Sequence, residues 1–177
     1  ALDINGSVQP NAYVDATNGA NLLLVQAFAA RTHLTAWRKL QSDGQALLGN
    51  MAWGTSQLPS DWVALRADGR MEPAKEWPTR MSFDAIRIPL YVYWSDPKSS
   101  LLTPWKNWFQ RYPRLQTPAW INVNTNEVAP WFMTGGLLAV RDLTLGEAQA
   151  EPQISAQDDY YSASLKLLVW LANKDQS

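Results

Sequence analysis

The sequence predicts an all-α dominated fold with a small β-hairpin near residues 62–74. Three observations predict it: apolar residues recur at helical spacing in several long segments, proline and glycine punctuate them, and only one short stretch reads as paired strands. A chain of 177 residues is about one domain's worth. Apolar residues make up 46%, which places it among folded rather than disordered chains.

In chain order, residues 1–17 read as an irregular entry, with Asn5-Gly6 and Gln9-Pro10-Asn11 as turn signals. Residues 20–31 are helical and apolar all round, hence expected to be buried. Thr35 can cap a second helix over 36–49, with Trp37, Leu40, Leu47 and Leu48 on its apolar positions and Gly49-Asn50 at its end. Residues 50–61 form a loop. Trp62 to Arg66 is a short strand, Asp68-Gly69 a hairpin turn, and 70–74 the return. Ser82 can cap a helix over 83–95, in which Pro89 predicts a kink. Thr103-Pro104 starts another helix with Trp105, Trp108 and Phe109 on one face. Residues 112–135 are irregular, 136–143 a short helix and 146–157 a polar loop. The last helix, 158–172, aligns Tyr161, Leu165, Leu168, Val169 and Ala172.

Composition narrows the function. Fifteen basic against sixteen acidic residues give a net charge of −1, without the basic excess of a nucleic-acid binder. No run approaches the roughly 20 apolar residues of a membrane span, and no signal-peptide pattern stands at the N-terminus. Without cysteine there is no disulfide, thiolate nucleophile or iron–sulfur cluster, and the single His33 excludes a His-rich metal site. No cofactor and no metal are implied. Ten tryptophans and six tyrosines, several on the long loops as Trp53, Trp77, Trp120 and Trp131, raise carbohydrate as a ligand. Aromatic faces stack on the apolar C–H faces of sugars; plugging of helix ends explains the same residues equally well.

Among the carboxylates, Asp84 stands out. It lies in an otherwise apolar segment with Arg87 three residues on, on the same helical face, which predicts a partly buried ion pair. Asp61 can cap locally, and Asp158-Asp159 opens the last helix, where carboxylates favour the dipole.

Ser82-Phe83-Asp84-Ala85-Ile86-Arg87-Ile88-Pro89 resembles the Ser-Tyr-Asp-Ala-x-Arg-x-Pro segment of glycoside hydrolase family 8. Pro59-Ser60-Asp61-Trp62-Val63 is similar to that family's Pro-Asp-Trp-Val segment, and Asp158-Asp159-Tyr160-Tyr161 to its Asp-Ala-Tyr-Tyr segment, in the same order and at suitable distances. The similarity covers about residues 59–172 well and 10–50 loosely, and within the family it is to the cellulases encoded with bacterial cellulose synthase.

The resemblance implies part of an (α/α)6 barrel that hydrolyses β-1,4-glycans with inversion. It makes Asp84 the general base, with Arg87 holding that carboxylate charged and oriented. It implies substrate contacts from Arg87, Tyr160, Tyr161 and Tyr13, to which the aromatic Trp77 and Phe83 are added as candidates. Tyr13 is set against the tyrosine of an Asn-Pro-Ser-Tyr segment, which here reads Pro10-Asn11-Ala12-Tyr13.

Phe83 replaces the family's tyrosine. The Ser-Glu-Gly segment that supplies the general acid and the Ala-Ser-Asp-Ala-Asp segment do not occur. The chain is therefore expected to be either a single domain over 1–177 or the C-terminal half of a larger catalytic domain, whose N-terminal half is a possible partner. The expected activity is endo-β-1,4-glucanase in the periplasm or outside the cell, acting on β-1,4-glucan, with xylan and chitosan open as substrates. The competing expectations are a non-catalytic glycan-binding or assembly module and a plain helical interaction domain.

Overall fold

The computed structural model describes residues 12–15 and 22–176, with side chains from Val25 onward. The turn signals at Asn5-Gly6 and Gln9-Pro10-Asn11 lie outside the described residues, as does the Tyr13 side chain.

Six helices and two small antiparallel sheets make up the described chain. The helices are α1 (Leu22–Thr32), α2 (Thr35–Asn50), α3 (Arg87–Ser95), α4 (Thr103–Phe109), α5 (Gly135–Leu145) and α6 (Tyr160–Asp175). The strands are β1 (Ala12–Asp15), β2 (Trp62–Leu65), β3 (Met71–Pro73), β4 (Arg80–Met81) and β5 (Ile121–Asn122), ordered β1-β2-β3 in one sheet and β4-β5 in the other.

The hairpin forms where Asp68-Gly69 places it: Val63 pairs with Pro73 and Leu65 with Met71, and Gly69 takes a positive φ of 83°. The entry expected to be irregular contributes β1 instead, with Tyr13 opposite Ala64. The stretch 112–135 is also less irregular than expected, since β5 pairs with β4 and a 3-10 turn spans Arg114–Gln116.

α5 and α6 form the closest helix pair, and α3 packs on both. Nearly every residue of α5 is buried. Leu165, Val169 and Ala172 line the inward stripe of α6, and Trp105, Trp108 and Phe109 fill the core from α4. Three local expectations are corrected. Thr35 is the first helical residue of α2 rather than its cap, and Leu34 at the cap position makes no side-chain cap bond. The helix expected from residue 83 begins at Arg87, so Pro89 falls within its first turn, where the missing N–H has no helical acceptor and no kink is called for. Finally, α1 is not buried all round: Val25 is inward but Phe28 is 40% exposed, because α1 packs on α2 and α3 along one side only.

Candidate active site

The segment 82–86 is a turn between β4 and α3, and its burial pattern decides what it presents. Ala85, Ile86 and Ile88 sink into the core, while Phe83 is 52% exposed. Asp84 lies between them with its side chain 38% exposed. Burying the alanine and isoleucines leaves the phenylalanine and the carboxylate at the surface.

The turn is held from two distant elements. Asp61, just before β2, accepts hydrogen bonds at one carboxylate oxygen, Oδ1, from the backbone N–H groups of Ser82 and Ala85, both at 2.8 Å. Its own N–H donates to the Arg80 carbonyl at 2.7 Å, locking β4 alongside. Ser82 therefore does not cap a helix here: α3 starts without a side-chain cap, and the N–H groups of Ser82 and Ala85 in the turn are bound by Asp61, 21 and 24 residues upstream. From α6, the Tyr161 hydroxyl donates to the Phe83 carbonyl, and its ring meets Phe83 edge-on at 6.0 Å and 74°. Burial, the largest cause, holds the Tyr161 hydroxyl well above the usual phenol range, with Asp84, Asp61 and Tyr91 adding to the shift and Arg87 opposing it. The hydroxyl thus stays protonated and able to donate.

Arg87 Nη2 donates to Asp84 Oδ1 at 2.9 Å, the ion pair that the three-residue spacing predicts. Neither side chain is fully buried, so the pair is accessible at the surface.

The first turn of α6 is built around two aspartates. Asp159 caps the helix by accepting from the Ser162 N–H at 2.7 Å. Asp158 is buried and accepts from Lys166 Nζ at 2.7 Å, Ser162 Oγ at 2.6 Å and the Ser155 N–H at 2.9 Å. These bonds, Lys166 first, hold its carboxyl far below the usual carboxylate range. A cavity of about 470 Å³ runs from Phe83 and Tyr161 to Gly136, Asp159 and Lys166.

Four of the expected site residues come together here: Asp84, Arg87, Phe83 and Tyr161. Tyr160 and Trp77 lie elsewhere, and the Tyr13 side chain is outside the described residues. Tyr160 is 89% exposed; consecutive helical residues point about 100° apart, so it faces solvent where Tyr161 faces Phe83. Trp77 stacks on Trp62 at 4.9 Å and 17°, beside the hairpin. Tyr13 sits on β1. Of the loop aromatics, Trp53 packs against the core. Trp120 is buried under the Arg80 guanidinium, 3.6 Å from its ring centre, with the exposed Trp131 edge-on beside it. Asp61, expected only to cap locally, instead binds a turn 21 and 24 residues downstream; its place in the Pro-Ser-Asp-Trp-Val segment was the available signal. Among the described residues, no three His, Cys, Asp or Glu side chains group so as to hold a metal ion.

A family model, Glycosyl hydrolases family 8, matches residues 11–175. The chain belongs to that family. Over 122 residues it is 82% identical to an endoglucanase of Cellulomonas uda, covering 69% of this chain and 34% of that protein. Two solved structures are similar along nearly the whole chain. A family 8 endo-β-1,4-glucanase from an Achatina fulica gut metagenomic library has a TM-score of 0.90 at 76% identity, covering 96% of this chain and 53% of the other. The family 8 endoglucanase of Klebsiella pneumoniae has a TM-score of 0.91 at 70% identity, covering 96% and 55%. The chain thus spans about a third of the length of that curated relative and about half of each solved structure. These family 8 neighbours are (α/α)6 barrels, and the mostly helical fold here is similar to part of one. No helix among the described residues is long and apolar enough to cross a membrane.

Proposed function

We propose that this chain supplies the general-base side of the cleft of an inverting endo-β-1,4-glucanase. The observation that carries the reading is the Asp84–Arg87 pair, half-exposed on a turn held from two sides. Asp84 takes a proton from a water whose oxygen bonds to the anomeric carbon on the face opposite the leaving group. The glycosidic C–O bond breaks as the departing oxygen receives a proton from a separate acid. Inversion requires the two carboxyl groups to stand about 6.5–9.5 Å apart, leaving room for that water. Arg87 donates to Asp84 Oδ1 and orients the carboxylate.

The acid is assigned to the remainder of a larger domain, of which this chain is the C-terminal half. Two of the glutamates are already engaged in ion pairs. Glu72 is bonded to Arg66, which holds its carboxyl below the usual range, opposite to what an acid requires. Glu147 is paired with the buried Arg141. The cavity beside Phe83 and Tyr161 gives a sugar ring an aromatic wall. Polymeric β-1,4-glucan as substrate places the enzyme in the periplasm or outside the cell. The exposed Trp131 and the Trp62–Trp77 stack favour a second reading, a glycan-binding module without turnover.

Carboxymethylcellulose viscometry on the full-length protein separates the two. The first reading expects a rapid fall in viscosity that Asp84→Asn slows by about 100- to 10,000-fold while leaving the protein folded. Near-normal activity in Asp84→Asn overturns the base assignment. Saturable tryptophan-fluorescence changes with cello-oligosaccharides and no cleavage support the second.

A further inference from the structure

We propose that Asp61 is a positioning residue for Asp84, acting through the backbone of the turn that carries it. The inference rests on Asp84 being the base. The acceptor oxygen of Asp61 is shared by the N–H two residues before Asp84 and the N–H one residue after it, so both bonds bracket the reacting side chain. A turn of this length leaves those N–H groups without helical acceptors, since α3 begins only at Arg87. A carboxylate aimed at them is the strongest local acceptor available, and charge-assisted bonds are roughly twice as strong as neutral ones.

Asp61 is itself anchored, because its N–H is tied to the Arg80 carbonyl and the next residue begins β2 of the three-stranded sheet. The hairpin sheet therefore fixes the height and angle at which Asp84 stands above the core. The Arg87 N–H bonds the Asp84 carbonyl at 3.1 Å, so the same turn also sets the distance between Asp84 and Arg87. Loss of Asp61 would free the turn while leaving Asp84, Arg87 and every aromatic side chain in the sequence.

The consequence is kinetic. General-base catalysis depends on the carboxylate's position to within a fraction of an ångström, whereas substrate binding is spread over many contacts. Asp61→Ala in the full-length enzyme is expected to lower kcat about 10- to 100-fold, with KM for a soluble cello-oligosaccharide changed less than about threefold. Asp61→Asn keeps an oxygen at the Oδ1 position, so it should restore most of the lost kcat. Rates are normalised to folded sites counted by oligosaccharide titration, so that a simple loss of stability lowers neither kcat nor the ratio.

Wild-type kcat in Asp61→Ala, or equal losses in Asp61→Ala and Asp61→Asn, would overturn the positioning role. Asp84→Asn in parallel separates the two ideas. If it is inactive while Asp61→Ala is normal, only the Asp61 role fails. If it is active, the base assignment fails, and the Asp61 role with it. Should Asp61→Ala not fold, Asp61→Asn and Asp61→Ser carry the comparison, with the shorter serine expected to resemble alanine.

Discussion

Asp158 and Asp84 are both aspartates beside a cation, yet their surroundings suit them to different work. Asp84 accepts from Arg87 and its side chain is 38% exposed, as the proposed base needs. Asp158 is buried, and Lys166, Ser162 and Ser155 saturate its oxygens, so it serves the join between the 146–157 loop and α6. Its pH behaviour follows. A carboxyl whose folded pKa is depressed contributes stability above its unfolded value of 3.8, and that stability is lost as pH falls from there toward the lower folded value. The full-length protein is therefore expected to lose stability steeply below about pH 4. Asp158→Asn should lower stability at neutral pH and flatten that acid dependence, as read by urea unfolding at several pH values. An unchanged slope in the variant would show that other carboxylates govern the acid limb. The Asp84–Arg87 pair was legible because it is local, three residues apart on one turn. Asp61 was not, because nothing in its own neighbourhood shows that its acceptors lie 21 and 24 residues downstream.

At the scale of elements, α5 and α6 meet through glycine. A Cβ built on Gly136 would stand 2.7 Å from both Leu165 Cβ and the Ser162 carbonyl oxygen, a separation that only the missing side chain permits. The Ser162 hydroxyl donates to Asp158 and accepts from the Gly136 N–H at 2.8 Å, so the close approach also closes the network at the start of α6. Gly136→Ala should push the helices apart and destabilise the protein by about 1–3 kcal/mol. Thermal unfolding should register this as a Tm lowered by roughly 2–4 °C for each kcal/mol. A Tm equal to wild type would mean that α6 shifts without cost. Helices of eleven or more residues such as α2, α5 and α6 were readable from periodicity, and the hairpin from its Asp-Gly turn. β4 and β5, two residues each, are too short to carry any period and exist because the 79–81 and 121–123 stretches are brought together in space. The start of α3 was misplaced for a related reason: Ser82 has the chemistry of a cap, but a stronger acceptor from outside the segment, Asp61, takes the Ala85 N–H that the Ser82 hydroxyl would have bound.

Among the described residues, large apolar side chains are left at the surface on the first two helices and the last one as well as on several loops. Phe28 on α1, Leu34 before α2, Leu40 on α2, and Leu167 and Leu171 on α6 are all exposed. In a closed ring of helices each member has neighbours on both sides, whereas a chain carrying part of a ring leaves its two flanks uncovered. Such surfaces associate in water unless charge opposes it, and a net charge of −1 opposes it weakly. The isolated 177-residue chain should therefore self-associate as its concentration rises, with sedimentation coefficients that increase across a micromolar series. The full-length protein should remain at one value over the same range. The same partial ring carries the proposed base without a matching acid segment, so the isolated chain should leave carboxymethylcellulose viscosity unchanged. If the chain is the C-terminal half of a larger domain, as proposed, adding the N-terminal half should reduce the association and restore viscosity loss together. A chain that stays monomeric and cleaves alone would contradict both arguments, and would require one of its own carboxyl groups to act as the acid.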